Sequence, residues 1–542
     1  MTRNFVRKSI RILIVIAMIA AVSFVPASTG YAATIYVTDN GSTLVVNTGA
    51  GLIYTVNQDN GDITSCKLNG TELSGTSKGS HISSGLGSAA DVTWSTSPSG
   101  STVLITVKTD TLTHYYASRG GENMIYMATY ITAEPSVGEL RYIFRGNGSV
   151  LTSVPANSNN SGTTGAIESS DVYGYSNGYT TSKYYGNDQA KDLTIRGVTG
   201  SGVGVFMAYG NREKSSGGPF FRDIQFQSGG DAEIYNYMNS GHAQTEDWRL
   251  GLHGPYALVF TTGSTPGVPD FSWMSGLGLT GWVSSRGNVV LNGLSGMDTS
   301  YTYTIGFANS SAQYWSTASS SGSAGTYSMM PGTYVMTVYK GELAVYTENV
   351  TVTAGSTTTL NTRTITGDPS SASAIWRIGN WDGTPKELLN GQTIAIRHPS
   401  DSRNPSWGPV TYTFGSATNK FPAVQFRAQN SPTAVTFTLS SAQGAAAHVL
   451  NIGITTAYIN GRPSVTINGH TLSNPAASSQ PNSRSFTIGT YRGNNTTFSW
   501  SIPSSYLVSG TNTLSITPIS GSTDLGTWLS AGWVYDCLEL LN

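Results

Sequence analysis

Short runs in which β-branched and apolar side chains alternate with polar ones recur along almost the whole chain, each closed by Gly, Pro, Asn or Ser. TVLITVKTD (Thr102–Asp110), TYVMTVYKG (Thr333–Gly341), ENVTVTAG (Glu348–Gly355) and AVTFTLSS (Ala434–Ser441) are the clearest. A period of two sends successive side chains to opposite faces of a strand, so each run buries one face and wets the other. No amphipathic segment longer than a few turns competes with them, and no short repeat suggests a propeller or solenoid. The chain is therefore expected to be all-β. Composition agrees: 63 Gly and 29 Tyr beside only 11% charged residues suit sheets joined by many turns, whereas long helices carry more Glu, Lys and Arg.

The first 33 residues are of another kind. Arg3, Arg7, Lys8 and Arg11 precede a mostly apolar run from Ile12 to Val25, and the small residues Gly30, Ala32 and Ala33 follow. A basic start, a short apolar stretch and a small-residue cleavage point make a secretory signal peptide, and the run is short for a membrane span. The mature chain is expected to be secreted and extracellular, with no membrane partner. Charge is nearly balanced, 29 Lys and Arg against 30 Asp and Glu, with no basic run after the signal. Nucleic acid is not an expected partner, because binding phosphates needs concentrated positive charge. Two cysteines, Cys66 and Cys537, are too few for a disulfide scaffold or a cysteine zinc site, and are expected as unpaired buried thiols in different domains.

Three regions follow by texture. Residues 34–270 hold most of the His, Tyr and Arg clusters and close on the loop STPGVPD (Ser264–Asp270). Residues 271–366 hold several short strands, enough for a fibronectin-III-like sandwich. After a polar linker, GDPSSASA (Gly367–Ala374), residues 372–542 space their strands and turns as a jelly roll does, a scaffold common among carbohydrate-binding modules. Trp376, Trp381 and Trp407 there suit stacking on sugar rings and filling a core equally well.

The sequence has no nucleophile elbow, no HExxH helix, no phosphate loop and no dinucleotide fingerprint. Its informative block is SGGPFFRD (Ser216–Asp223), YNYMNSGHAQTE (Tyr235–Glu246) and GLHGPYA (Gly251–Ala257). Tyr235 and Tyr237 are two apart, so on a strand they share a face. His242 follows in an Asn-Ser-Gly turn, from which a side chain can project into a cleft. Two tyrosines beside a histidine suit the handling of sugar; they suit a packed core with a hydrogen-bonded histidine as well.

These three motifs together resemble the catalytic domain of polysaccharide lyase family four, the rhamnogalacturonan lyases. ENMIYMATYITAEPSVGELRYIFR (Glu122–Arg145) and TTSKYY (Thr180–Tyr185) are similar to the same family in the same order. Further on, IWRIGNWDG, HPSDSRNPSWGPVTYT and YDCLEL resemble its third domain. The resemblance implies a large catalytic β-sandwich, galactose-mutarotase-like, followed by a fibronectin-III-like domain and a jelly roll similar to carbohydrate-binding modules. It also implies β-elimination across the α-1,4 bond from rhamnose to galacturonic acid in rhamnogalacturonan I, the expected polysaccharide partner, leaving a 4,5-unsaturated uronic residue.

Such an elimination makes definite demands. A base must take the C5 proton of galacturonate, a cation must offset the growing charge beside the carboxylate, and an acid must protonate the departing O4. The resemblance assigns the base to Lys183 and the acid to His242. A lysine base must be neutral against a reference pKa of about 10.4, which a nearby cation or a desolvated cleft would favour. Arg141 is the candidate for both tasks, neutralising substrate and depressing Lys183; a structural salt bridge to Glu139 or Glu134 is its alternative. Tyr235 and Tyr237 correspond to family tyrosines that line the cleft and orient sugars. Arg222 and His253 carry no assigned step and are expected to brace the site. No cofactor or metal is expected in catalysis, and a structural calcium near Asp382 or Asp536 in the last domain is a further expectation. A monomer is expected. The rival readings are a non-catalytic pectin binder, and a lyase or hydrolase of another uronate polymer; hydrolysis would require a carboxyl pair across the bond.

Overall fold

Strands in the computed structural model lie where the alternation places them, and their burial follows the pleat. Residues 34–135, 138–168, 170–240, 246–476, 487, 489 and 495–542 are described. The expected signal peptide and His242 lie outside them. In Thr102–Lys108, Val103, Ile105 and Val107 are buried and the residues between them less so. Only one α-helix occurs among the described residues, the four-residue Ser441–Gly444, closed by a capping box between Ser440 and Gln443. No helix there is long and apolar enough to cross a membrane.

The first region is a layered sandwich. A seven-stranded sheet runs, in spatial order, through Ile195–Gly200, Val203–Ala208, Gly251–Thr261, Met124–Ile131, Leu112–Arg119, Thr102–Lys108 and Asp91–Thr96. A four-stranded sheet runs through Phe226–Ser228, Asp231–Asn239, Leu140–Asn147 and His81–Ile82. The main core holds Val103, Ile105, Tyr116, Met127, Tyr256 and Leu258 of the larger sheet with Tyr142, Phe144, Ile234 and Met238 of the smaller. The larger sheet is covered on its other face too: Tyr115, Tyr126 and Phe206 pack with Met274, Leu279 and the half-buried Phe271, Trp273 and Trp282. The segment just past the boundary expected at residue 270 thus packs back on the first sandwich.

The middle region pairs a three-stranded sheet (Gly287–Leu291, Ala324–Met329, Thr357–Leu360) with a four-stranded one (Tyr303–Ala308, Gln313–Thr317, Gly332–Lys340, Leu343–Val352). The last region packs two five-stranded sheets around an aromatic and aliphatic core. All three belong to one compact unit.

Trp376, Trp381 and Trp407 are 3%, 2% and 8% exposed, which decides their role: they fill cores and present no platform to a sugar. A pleated strand gives an aromatic residue either face, and only the fold says which one is inside. Truncating any of them should cost roughly 3–5 kcal/mol of stability. Trp381 does not even join its own domain's core: with Cys537 it completes the core of the middle sandwich. Cys66 and Cys537 are free and buried in separate cores, and burial pushes both thiols above their usual range.

Asp382 and Asp536, where a structural calcium was expected, stand beside Glu387. One Asp536 oxygen already accepts from the Gly383 and Asp382 backbone amides at 2.8 and 3.3 Å, and Glu387 accepts from the Asn380 amide at 2.6 Å. Among the described residues no group of three or more His, Cys, Asp or Glu is placed to hold a metal ion. Burial first, then the neighbouring acids, pushes Asp536 well above the carboxylate range and Glu387 up to about 7. An acid with a raised folded pKa keeps its proton where the unfolded chain has lost it, so stability present in acid is lost as pH rises. Melting temperature should therefore fall from about pH 4.5 through about pH 7, and Glu387→Gln should flatten the fall. Thermal unfolding across pH checks this, and a calcium-dependent rise in melting temperature that erased the pH dependence would place the expected ion at these carboxyls instead.

Candidate active site

The strands Leu140–Asn147 and Asp231–Asn239 pair antiparallel, with Arg141 opposite Tyr237, Ile143 opposite Tyr235 and Arg145 opposite Glu233. Residues opposite each other share a face. Because Tyr142, Phe144, Ile234 and Met238 point into the main core, Arg141, Ile143, Arg145, Glu233, Tyr235 and Tyr237 occupy the outer face. This outer face carries the candidate site. The shared face expected for Tyr235 and Tyr237 is present: their rings stack with centroids 5.9 Å apart and planes 18° from parallel.

Arg141 lies with its guanidinium 5.2 Å from the Tyr237 ring centroid and donates to the Tyr237 hydroxyl and to Ser84. It also pairs with Glu139 at 2.6 Å, one of the two salt bridges considered as its alternative role. Burial, then the Asp223 carboxylate, pushes the Tyr237 phenol well above its usual range; burial, then Glu233, does the same for Tyr235. Both are held in the neutral form, polar without charge.

The turn that carries Lys183 reaches this face from the end of a separate small sheet, Gly165–Glu168, Val172–Gly174 and Thr180–Ser182. Tyr184 and Tyr185, which follow it, bury in one cluster with Ile143, Val172, Tyr235 and Tyr237, and that cluster draws the lysine turn onto the tyrosine face. Asn187 tightens the turn, donating its side-chain amide to the Lys183 carbonyl at 3.0 Å and the Asp223 carbonyl at 2.7 Å. The lysine is not a solvated surface residue: its side chain is 20% exposed and its ammonium lies 2.8 Å from Asp171. Its ion-pair partner, Asp171, was not among the expected site residues. Val172 pairs with Ser182, so one further step along the hairpin sets residue 171 opposite residue 183. Nothing in the sequence marks Asp171 before that register is known.

His242 lies outside the described residues, between anchored ends. Before it, Ser240 donates to the Asp223 carboxylate and Ser216 donates to the Asn239 side chain at 2.7 Å. After it, Arg249 pairs with Glu246 at 2.5 Å and donates to the Ser215 carbonyl at 2.8 Å. His253 is buried within 2.9 Å of the Arg249 carbonyl, and burial pushes it down to about 3, so it stays neutral and braces the strand. Arg222 lines a cleft of about 370 Å³ with Asn187, Gln392, Ile396 and Lys386, where the first and last regions meet. His81, which the sequence reading passed over, sits opposite Ile143 on the site face; burial, then Arg145 and Arg141, pushes it down to about 4. Together the face offers a cation, neutral phenols and an amine beside a carboxylate.

Family profiles cover nearly all of this. Residues 36–281 match "Rhamnogalacturonan lyase B, N-terminal", 285–360 match "Polysaccharide lyase family 4, domain II" and 374–540 match "Polysaccharide lyase family 4, domain III". A protein of Aspergillus aculeatus named rhamnogalacturonate lyase A is 45% identical over 514 residues, which span 93% of this chain and 96% of that one. Its namesake from Emericella nidulans is 44% identical over the same shares of both chains.

Proposed function

The chain belongs to polysaccharide lyase family 4, and from that premise we propose that it is a secreted enzyme cleaving rhamnogalacturonan I between rhamnose and galacturonic acid by β-elimination. The observation that carries this reading is the convergence of the Lys183 turn and the Arg141–Tyr237 pair on one sheet face. Arg141 meets the galacturonate carboxylate and offsets the charge that grows as C5 loses its proton. Lys183, as the free amine, takes that proton; Asp171 at 2.8 Å then offsets the ammonium formed. The electron pair from C5 forms the new double bond to C4 as the C4–O4 bond breaks, and His242 protonates O4. Tyr235 and Tyr237, 5% and 3% exposed, form a buried stacked pair behind the face, and Tyr237 holds Arg141 in place for the carboxylate. No step requires a metal, and a strong chelator should leave turnover unchanged. Export follows from the basic and apolar layout of residues 1–33.

Incubating the protein with rhamnogalacturonan I tests the reading, because the new C=C conjugated with the carboxylate absorbs in the ultraviolet. Hydrolysis or simple binding adds no such absorbance, and either outcome would remove the proposal. His242→Ala should lose turnover by about 10²–10⁴-fold and abolish a descending alkaline limb in the rate profile. A mutant that keeps both the limb and the rate would pass the acid's role to Tyr237.

A further inference from the structure

The motif HPSDSRNPSW (His398–Trp407) resembles the family's third domain, yet it takes no part in the chemistry above, and its tryptophan is in the core. Its polar residues face the catalytic region. Asp401 accepts the Thr180 amide at 2.7 Å and the Thr180 hydroxyl at 2.8 Å, and the His398 amide donates to that same hydroxyl at 3.1 Å. Thr180 opens the strand that ends one residue before Lys183. On the hairpin's far strand, Glu168 is held between His398 Nε2 at 3.0 Å and the Thr487 hydroxyl at 2.9 Å. Beyond the lysine, the Tyr185 hydroxyl donates to the Thr487 carbonyl at 2.9 Å and the Gly186 amide donates to the Ala395 carbonyl at 3.1 Å. Before it, the Ser402 amide donates to the Gly178 carbonyl at 2.9 Å.

The last domain thus grips the lysine hairpin before, beside and after Lys183. Thr180, Glu168, His398, Asp401 and Thr487 are all buried. Arg403 fixes the grip from behind, forking onto Asp401 at 2.6 and 2.7 Å while its guanidinium lies 4.2 Å from the Tyr179 ring centroid. The hairpin needs such support, because it is a sheet of only three short strands, marginal by itself.

We infer that Asp401 and His398 are positioning residues for the lysine base, and that the last domain is part of the catalytic apparatus because it sets where Lys183 stands. The inference rests on Lys183 being the base. A near-attack geometry is sensitive to displacements of an ångström, so loosening the hairpin should slow chemistry about 10- to 100-fold while the binding face, carried by another sheet, keeps its affinity.

The test uses the full chain with Thr180→Val, Thr180→Ser, Asp401→Ala and Lys183→Ala, reading kcat and KM on rhamnogalacturonan I and hydrogen exchange across residues 172–186. Thr180→Val removes only a hydroxyl from the catalytic side and leaves the last domain's sequence intact, so it stands if Asp401→Ala fails to fold. The expected result is a kcat lower by about 10-fold or more in Thr180→Val with KM within about twofold, recovery in Thr180→Ser, and faster exchange in the hairpin. An unchanged kcat in Thr180→Val beside an inactive Lys183→Ala would overturn the inference while sparing the base. A fall in kcat without faster hairpin exchange would overturn it as well. An active Lys183→Ala would instead overturn the base assignment, and the positioning role with it; faster hairpin exchange in Thr180→Val would then still report the grip.

Discussion

Lys183→Ala should lower turnover on rhamnogalacturonan I by about 10²–10⁴-fold while the protein stays folded and still binds polymer. The amine is the only group at the candidate site proposed to take the C5 proton, so its loss leaves the charge-offsetting Arg141 without a base. Stability should fall modestly. The side chain is anchored by an ion pair with Asp171 whose two side chains are 20% and 17% exposed, so some stability is lost with the lysine, less than a fully buried pair would cost. Because the amine must be free to act, the rate of the parent enzyme should climb with pH on its acid side. Steady-state rates across pH, with melting curves for each variant, check all of this. An alanine variant within a few-fold of the parent would end the assignment.

Arg141→Ala should cost at least about 10²-fold in kcat, in the range seen when a group stabilising transition-state charge is removed. Its effect has two sources that a second variant separates. Removing the guanidinium withdraws the cation from the substrate carboxylate, and it also leaves Glu139, now unpaired, to repel that carboxylate. If repulsion contributes, Arg141→Ala with Glu139→Gln should recover part of the rate. Arg141→Lys should recover little, because a single ammonium cannot reproduce the guanidinium's fork to both the Tyr237 hydroxyl and Ser84. Kinetics on the three variants decide it, and full activity in Arg141→Lys would reduce the role of Arg141 to point charge alone.

What could be read in advance was whatever depends on neighbours along the chain. Alternation marks Thr102–Lys108 as a strand and tells which residues it buries; spacing of two puts Tyr235 and Tyr237 on one face. Motif resemblance selects Lys183 from many surface-like lysines. What could not be read depends on register and on contacts between distant residues. Asp171 becomes the lysine's partner only once Val172 is known to lie opposite Ser182. Asp401 meets Thr180 across 221 residues of sequence, and no local pattern announces that meeting. His81 joins the site face because its two-residue strand pairs with Leu140–Asn147, and two residues show no period. The tryptophans were ambiguous for a different reason: a large aromatic residue suits either face of a sheet, and burial is a property of what packs over it.

Trp381 and Cys537 belong by sequence to the last domain and by packing to the middle one. Around them, the Asp382 carbonyl accepts the Glu342 and Leu343 amides at 2.7 and 3.1 Å, and the linker's Asp368 holds the buried Lys340 at 2.6 Å. A loop of one sandwich therefore plugs the open end of the other, and neither can melt without exposing part of its neighbour's interior. The two should unfold together, in a single calorimetric transition. A protease cut between them would leave a nicked molecule whose halves remain associated until denaturant separates them. Swapping the last domain among relatives would succeed only when the plug travels with the socket that receives it.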